Sequence, residues 1–415
     1  MKRVVLAAPP FAGHLNPVAA LALATQRAGY DVEVLTGPSK LATLRAAGLR
    51  ARAPEGLAAG EAEAIADSAR QVALHPGRLA SQVRRSLAVS AVLRNALIAD
   101  WRRDPPDLVA ADFIAPPAGL AAEALGIPWI TVMPTPFGVE ARTGAPSYLG
   151  GLSPREDAVG RLRDRLGWAA VRLMKDGLHL AFRRQAADAG LPRRRVGGRE
   201  MLYSPTRILA LGLREAEFPR DWPDTVRFIG PIYDHPETPP PPLALPPGRN
   251  VLVSFGTHLP WAKTGLEAAV VRLAERVPEA SFTLSLGDPE RKDEPPRQVA
   301  PRVRVAPFVS YRRDLPRFDA VAHHGGAGVT WACAAAAVPQ VVVPQDYDQF
   351  DFAARIAWHG LGERVRRVDS EAAAEALRRV LARKPAGVDA MAEAVRRSDA
   401  PGAFLQEVAQ AIGAP

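Results

Sequence analysis

The chain of 415 residues contains one cysteine, Cys333. A single thiol excludes an internal disulfide and a cysteine-built zinc cluster, and its place in an alanine-rich stretch reads as a small buried side chain. Aromatic residues are scarce, at 6%, and none are interleaved with a run of basic ones. The net charge of +9 therefore describes scattered arginines on a solvated surface, not a nucleic-acid face. No window approaches the roughly 20 consecutive apolar residues of a membrane span. The opening Met1-Lys-Arg-Val-Val-Leu-Ala-Ala is too short for a secretory apolar region and lacks a cleavage site, so it reads as a first core strand in a cytoplasmic protein. No repeat of solenoid period is present.

What is there is a soluble globular composition, 47% hydrophobic and 23% charged, long enough for two domains of roughly 200 residues each. Residues 3–8, 31–36, 107–112 and 127–133 are short apolar runs separated by helical spacing, the pattern of a doubly wound α/β half. A helix is expected from Val18, with Pro17 in its first turn and Asn16 as cap. Residues 230–248 are rich in proline, cannot pair in a sheet and favour extended geometry. The run Asn250-Val-Leu-Val-Ser-Phe255 then restarts the α/β pattern. The expected division is an N-terminal domain over 1–230, a linker over 231–248, a second domain over 249–385, and a terminal helix over 386–415 that packs back toward the first domain.

Residues 318–352 concentrate the chemistry. A buried strand ends on His323, and His324-Gly-Gly-Ala-Gly328 supplies small residues where strand must turn into helix. The helix is expected over residues 330–337, ended by Pro339, before a second apolar strand and the acidic loop around Asp348 and Gln349. A helix N-terminus at the carboxyl edge of a parallel sheet is a ready site for a phosphate. For the glycines taken alone an ordinary tight turn flanked by core histidines is the stronger reading, and only their combination with the histidines and the acidic loop favours a phosphate site. In the first half, His14 follows the first strand at the same kind of edge, where an imidazole can take a proton near neutral pH. Asp112 ends another strand there, placed either to orient His14 or to cap the helix after it.

Gly13-His14-Leu-Asn-Pro17, Ser254-Phe-Gly-Thr257, and His323-His-Gly-Gly-Ala-Gly328 followed by Asp348-Gln349 resemble the motifs of family 1 glycosyltransferases, bacterial macrolide, glycopeptide and carotenoid types above all. The resemblance spans both halves and implies the GT-B fold: two Rossmann-like α/β domains whose parallel sheets face a central cleft. It implies His14 as general base with Asp112 as its partner. For the donor it implies Gly13, Thr257, His323, His324, and the turn Gly325, Gly326, Ala327, Gly328 and Val329 around the diphosphate. Phe308 and Val309 are implied at the base, and Asp348 and Gln349 at the sugar hydroxyls.

Two positions depart from the family. Its usual Trp-x-Pro-Gln is Phe308-Val-Ser-Tyr311, which bears on the nucleotide, and its usual threonine after the glycines is Val329. Asp346-Tyr-Asp348 forms a D-x-D, yet follows a second-domain strand, so no metal is expected. The resemblance thus implies an inverting hexosyltransferase. A UDP- or dTDP-sugar would be the donor and a hydroxyl of a lipophilic natural product (polyketide, macrolide, carotenoid or flavonoid) the acceptor. No cofactor, nucleic acid or stable membrane insertion is expected, and the chain would be a monomer or homodimer. A non-catalytic GT-B auxiliary protein and a sugar-nucleotide epimerase are the alternatives.

Overall fold

The computed structural model describes residues 1–66, 70–73, 75–233 and 240–414. The first half contains β1 (Arg3–Ala7), β2 (Asp31–Leu35), β3 (Arg50–Arg52), β4 (Leu108–Asp112) and β5 (Trp129–Met133). A small antiparallel hairpin follows, β6 (Arg195–Val196) with β7 (Arg199–Glu200), then β8 (Ile208–Ala210) and β9 (Val226–Phe228). All but the hairpin form one parallel seven-stranded sheet, in the order β3-β2-β1-β4-β5-β8-β9. The second half adds β10 (Arg249–Ser254), β11 (Ala280–Ser285), β12 (Arg297–Ala300), β13 (Val303–Ala306), β14 (Ala320–His323), β15 (Gln340–Val342) and β16 (Gly362–Arg364). They order as β12-β13-β11-β10-β14-β15-β16, parallel except for the edge strand β12. This is the doubly wound, two-sheet α/β architecture that the sequence predicts.

The central strands are apolar without alternation because helices cover both faces. In β1, Val4 and Leu6 enter one core with Val18 and Leu21 of the following helix, while Val5 and Ala7 enter the opposite core with Trp101 and Val109. Register then does the positioning. Ala7 pairs with Ala111, and Ser254 with His323, which in turn pairs with Val342. Neighbouring strands therefore stop level, and the residues that follow them emerge at one edge.

Several boundaries differ from expectation. The first helix runs Ala12–Arg27 with Phe11 as N-cap, so Pro17 lies inside it and Asn16 is no cap. Proline already has a helical φ, and this one forfeits a single bond to the Gly13 carbonyl. His14 is consequently on the first helical turn. The glycine-turn helix runs Ala327–Ala335, starting three residues earlier than predicted. The strands β3, β12 and β16 and the β6–β7 hairpin carry charged residues, with no apolar run to mark them. Of the proline-rich stretch, residues 234–239 lie outside the described residues. Its second part lies against the second domain, where Leu243 is buried with Leu252 and the Arg313 guanidinium donates to the carbonyls of Pro240 and Pro241.

The chain end splits. Met391 and Val395, from the Gly387–Arg397 helix, pack on Trp331 and Ile356 of the second domain. Only the Ala400–Ile412 helix, capped by Asp399, returns to the first domain. There Phe404 and Val408 join Val4 and Leu6, and Glu407 pairs with Arg207 and Arg227. Replacing the fully buried Phe404 by Ala should remove about 3–5 kcal/mol of stability, read as a drop in the denaturant midpoint at unchanged slope. A loss below about 1 kcal/mol would mean that this terminal helix is not part of the first core.

Candidate active site

A cavity of 680 Å³ opens between the carboxyl edges of the two sheets. From the first domain it is lined by His14, Phe113 and one face of the Pro76–Trp101 helix, including Leu87, Leu93 and Leu97; from the second, by His324, Ala327 and Asp348. The walls are thus mainly aliphatic, and His14, His258, His324 and Asp348 belong to the end at the sheet edges.

At that end His14 Nδ1 lies 3.1 and 3.0 Å from the two carboxylate oxygens of Asp112. Asp112 is the last residue of β4 and is fully buried, while the His14 side chain keeps 23% exposure toward the cavity. The Asp112 carboxylate also accepts the Ile114 N–H at 2.8 Å. It does not cap the Pro116–Leu125 helix, whose N-cap is Ala115. With Nδ1 engaged, Nε2 is the nitrogen left for a cavity ligand. The rings of Phe113 and Phe11 lie 5.6 and 6.4 Å from the imidazole, and Phe11 in turn meets His258 edge-on at 4.9 Å across the cleft. Burial opposes protonation of His14, but the Asp112 carboxylate and the more distant Asp348 outweigh it and raise its pKa above the ordinary 6.5. Asp348 is pushed up to about 6, chiefly by burial and further by Asp351 and Asp346, against the pull of His14.

The glycine turn forms the opposite wall. Gly325 has φ 93°, and a β-carbon there would stand 3.0 Å from both the Gln349 carbonyl oxygen and Val342. At Gly326 a β-carbon would strike the His324 ring at 2.6 Å. Only glycine fits this approach of turn, ring and following loop. Gly326 caps the Ala327–Ala335 helix, leaving the N–H groups of Ala327, Gly328 and Val329 in a first turn without intrahelical acceptors. A β-carbon at Gly328 would meet nothing within 4 Å. The positive end of the helix dipole therefore points into open space beside the cavity. Val329 contributes only its backbone, since its side chain is buried with Leu252 and Cys333.

The two histidines of the motif are not equivalent. His323 Nε2 bonds Gln340 Oε1 at 2.9 Å and its Nδ1 accepts the Gly325 N–H at 3.0 Å, so both nitrogens are spent within the protein. Direct contact of His323 with a diphosphate is thereby corrected to a role in fixing the turn. His324 is the one that lines the cavity. Burial, then the neighbouring His324, holds the His323 pKa down to about 3; burial, then Lys263 and His258, hold His324 down to about 4. Neither carries charge at neutral pH.

The remaining residues fall on both sides of the expectation. Gly13 and Gln349 line the cavity with His14 and Asp348. Gln349 Oε1 already accepts the N–H groups of Gln345 and Asp346, which leaves its amide N–H pair for a ligand. Thr257 follows β10 at the correct edge but does not line this cavity, nor do Phe308 and Val309 beyond β13, and Val309 is buried in the domain core. Asp346 spends its carboxylate on the N–H groups of Val72, Ala73 and Tyr347, so this first aspartate of the D-x-D ties the two domains together.

Two features had no signal in the sequence. Tyr148 lines the cavity with φ 64°, its N–H held at 2.9 Å by the buried carboxylate of Asp351 from the other domain. Arg355 bonds Glu217 across the cleft at 2.8 Å and lies 4.2 and 4.3 Å from the ring centres of Phe137 and Phe218. These residues are far apart in the chain, and only packing brings them together.

Residues 279–414 match the domain described as Erythromycin biosynthesis protein CIII-like, C-terminal domain. The 4'-demethylrebeccamycin synthase of Lentzea aerocolonigenes is 29% identical over 401 residues, covering 91% of each chain. The zeaxanthin glucosyltransferase of Pseudescherichia vulneris is 26% identical over 375 residues, covering 88% of this chain and 87% of its own. Among solved structures, the Streptomyces sp. SF2575 glycosyltransferase SsfS6, in complex with thymidine diphosphate, superposes with TM-score 0.69 over 99% of this chain and 100% of its own, at 18% identity. The chain is an enzyme of the glycosyltransferase class on a GT-B fold. The similarity to the CIII-like C-terminal domain is confined to residues 279–414.

If Asp112 supports the imidazolium, Asp112→Asn removes the negative charge nearest the ring, and the His14 pKa should fall. Titration of the His14 ring by NMR in both proteins measures this. An unmoved midpoint would leave Asp112 with a purely structural role.

Proposed function

We propose that the protein is an inverting glycosyltransferase that moves a hexose from a nucleoside diphosphate sugar to a hydroxyl of a lipophilic small molecule. One observation carries the reading: the His14–Asp112 pair and the free N-terminus of the Ala327–Ala335 helix face the same apolar-walled cavity. An aliphatic cavity with a few convergent polar groups suits a hydrophobic acceptor. Its hydroxyl would lie at His14 Nε2 and the donor diphosphate at the helix N-terminus.

The step then balances. The acceptor oxygen bonds the anomeric carbon as the bond to the diphosphate breaks on the opposite face, and the hydroxyl proton passes to His14 Nε2. Attack from that face inverts the configuration. Asp112 holds the imidazole by Nδ1 and favours the imidazolium. Charge on the departing diphosphate falls on the N–H groups of residues 327–329 and on the helix dipole, equivalent to about half a unit charge. The reading calls on no metal. Asp348 and the free amide of Gln349 are the groups assigned to sugar hydroxyls, and a fully hydroxylated hexose uses them best, so UDP-glucose is the preferred donor and a dTDP-sugar the second. Work in the cytoplasm, as a monomer or homodimer, belongs to the same proposal.

His14→Ala should reduce transfer by about 10²–10⁴-fold while leaving nucleotide-sugar binding intact. Calorimetry with UDP-glucose, dTDP-glucose and dTDP-rhamnose, with product chromatography against a set of hydrophobic alcohols, tests both halves. Turnover that survives without His14 defeats the base assignment, and an altered free sugar in place of a glycoside defeats transfer itself.

The pH profile adds a signed test. His14 must be neutral to accept a proton and its pKa is raised, so activity should climb with pH along an acid limb centred above 6.5 and then level off. Removing the Asp348 charge with Asp348→Asn should move that limb downward. A limb that stays in place would show that another group governs it.

A further inference from the structure

The Ala158–Ala181 helix presents an apolar face on each side. Inward, Trp168 and Val171 pack on Ala141, and Gly167 lies against Pro146 and Leu149. Outward, Val159, Leu162, Leu166, Leu173, Met174 and Leu180 are 43–74% exposed. They are six of the twelve large hydrophobics exposed among the described residues, and they share one helix. Single exposed apolar side chains are ordinary, but a continuous stripe marks an interaction surface.

The spacing makes it a stripe. Val159, Leu166, Leu173 and Leu180 recur every seven residues, and at about 20° of drift per heptad they stay on one face along about 30 Å. Arg161 and Arg165 fall along one flank of this row, and Arg183 and Arg184 follow at its end. None of these four arginines forms an ion pair among the described residues. The exposed acid on the helix, Asp176, is held by Arg194 and Arg195. The surface is therefore apolar along its crest and cationic along its side.

We propose that this helix lies on an anionic lipid bilayer, with its leucine row in the acyl boundary and the arginines at the headgroups. Charge complementarity selects this occupant. A second copy of the chain would set two cationic flanks together with no acidic row to answer them. The stripe lies on the side opposite the contacts that attach the helix. Its interior charges, including Asp164, Lys175 and Asp176, rule out spanning, and no described helix is long and apolar enough to cross a membrane. A long, strongly two-sided helix of low mean hydropathy with arginines beside leucines lies in the interface plane. The Pro146–Leu149 loop joins the inward side of the helix to the cavity, because Leu149 touches Gly167 and Tyr148 lines the cavity. The proposal nevertheless stands apart from the transfer reading, since it concerns a different surface.

Co-sedimentation of the full chain with phosphatidylglycerol–phosphatidylcholine vesicles, against phosphatidylcholine alone, tests it. Binding should appear with the anionic vesicles and fall at least about tenfold with neutral ones, at high salt, in the pair Leu166→Ser/Leu173→Ser, and in the pair Arg161→Glu/Arg165→Glu. Both pairs change exposed positions, so thermal unfolding should not move, and either pair alone suffices as the test. Wild-type protein that stays in the supernatant overturns the proposal, as does a leucine pair that binds like wild type. A dimer in light scattering that the leucine pair dissociates, without vesicle binding, would assign the ridge to a second copy instead.

Discussion

A parallel sheet sends all its strand ends to one edge, and everything at this site depends on that constraint. Because Ala7 and Ala111 are in register, as are Ser254 and His323, the residues after β1, β4, β10 and β14 emerge together. Those edges hold His14 and Asp112 on one side and His324 with the glycine turn on the other, around one cavity. Parallel strands need crossover helices, and the helices supply the second ingredient: first-turn N–H groups whose positive ends point the same way as the strand ends. A base and an anion site facing each other are thus consequences of topology before any particular side chain is chosen.

The side chains then divide the work by environment. His14 sits where a carboxylate reaches one nitrogen and the cavity the other, so its charge is favoured and its second nitrogen is free. His323, a strand residue with no exposure, meets only the uncharged partners Gln340 and Gly325 and is held neutral. Two imidazoles in one chain therefore do opposite things, one poised to take a proton and the other locking a turn. The domains are joined by contacts of the same mixed kind. Asp346 and Asp351 bind backbone N–H groups of the first domain, and Arg355 bonds Glu217 between two phenylalanine rings. Buried carboxylates that accept backbone N–H groups are satisfied without neutralising one another.

Much of this was legible in the chain. Core strands such as Leu108-Val-Ala-Ala-Asp112 announce themselves because both faces are buried, which demands an unbroken apolar run. The glycine turn was readable because Gly325 needs a positive φ and Gly326 needs the absence of a β-carbon, both properties of one residue type. Edge strands were not readable. Arg50-Ala-Arg52 and Gly362-Glu-Arg364 pair on one side only and carry charges outward, so no apolar pattern marks them. The start of the first helix is not legible, because Pro17 resembles a first-turn marker, and a helix that tolerates it one turn later looks the same in sequence.

The sequence by itself determined which residue types stand at the strand ends, where the sharp turn falls, and that two α/β halves flank a proline-rich stretch. These are local properties, carried by φ preference, hydrophobic period and chain order. Only the tertiary structure decided which of them meet. That His14 binds Asp112, that His323 is consumed by Gln340, that Asp346 holds residues 72 and 73, and that Tyr148 enters the cavity all depend on contacts between residues 17 to 274 positions apart. Such contacts leave no trace in a local pattern, because packing and strand register set them, and neither is a property of any short segment.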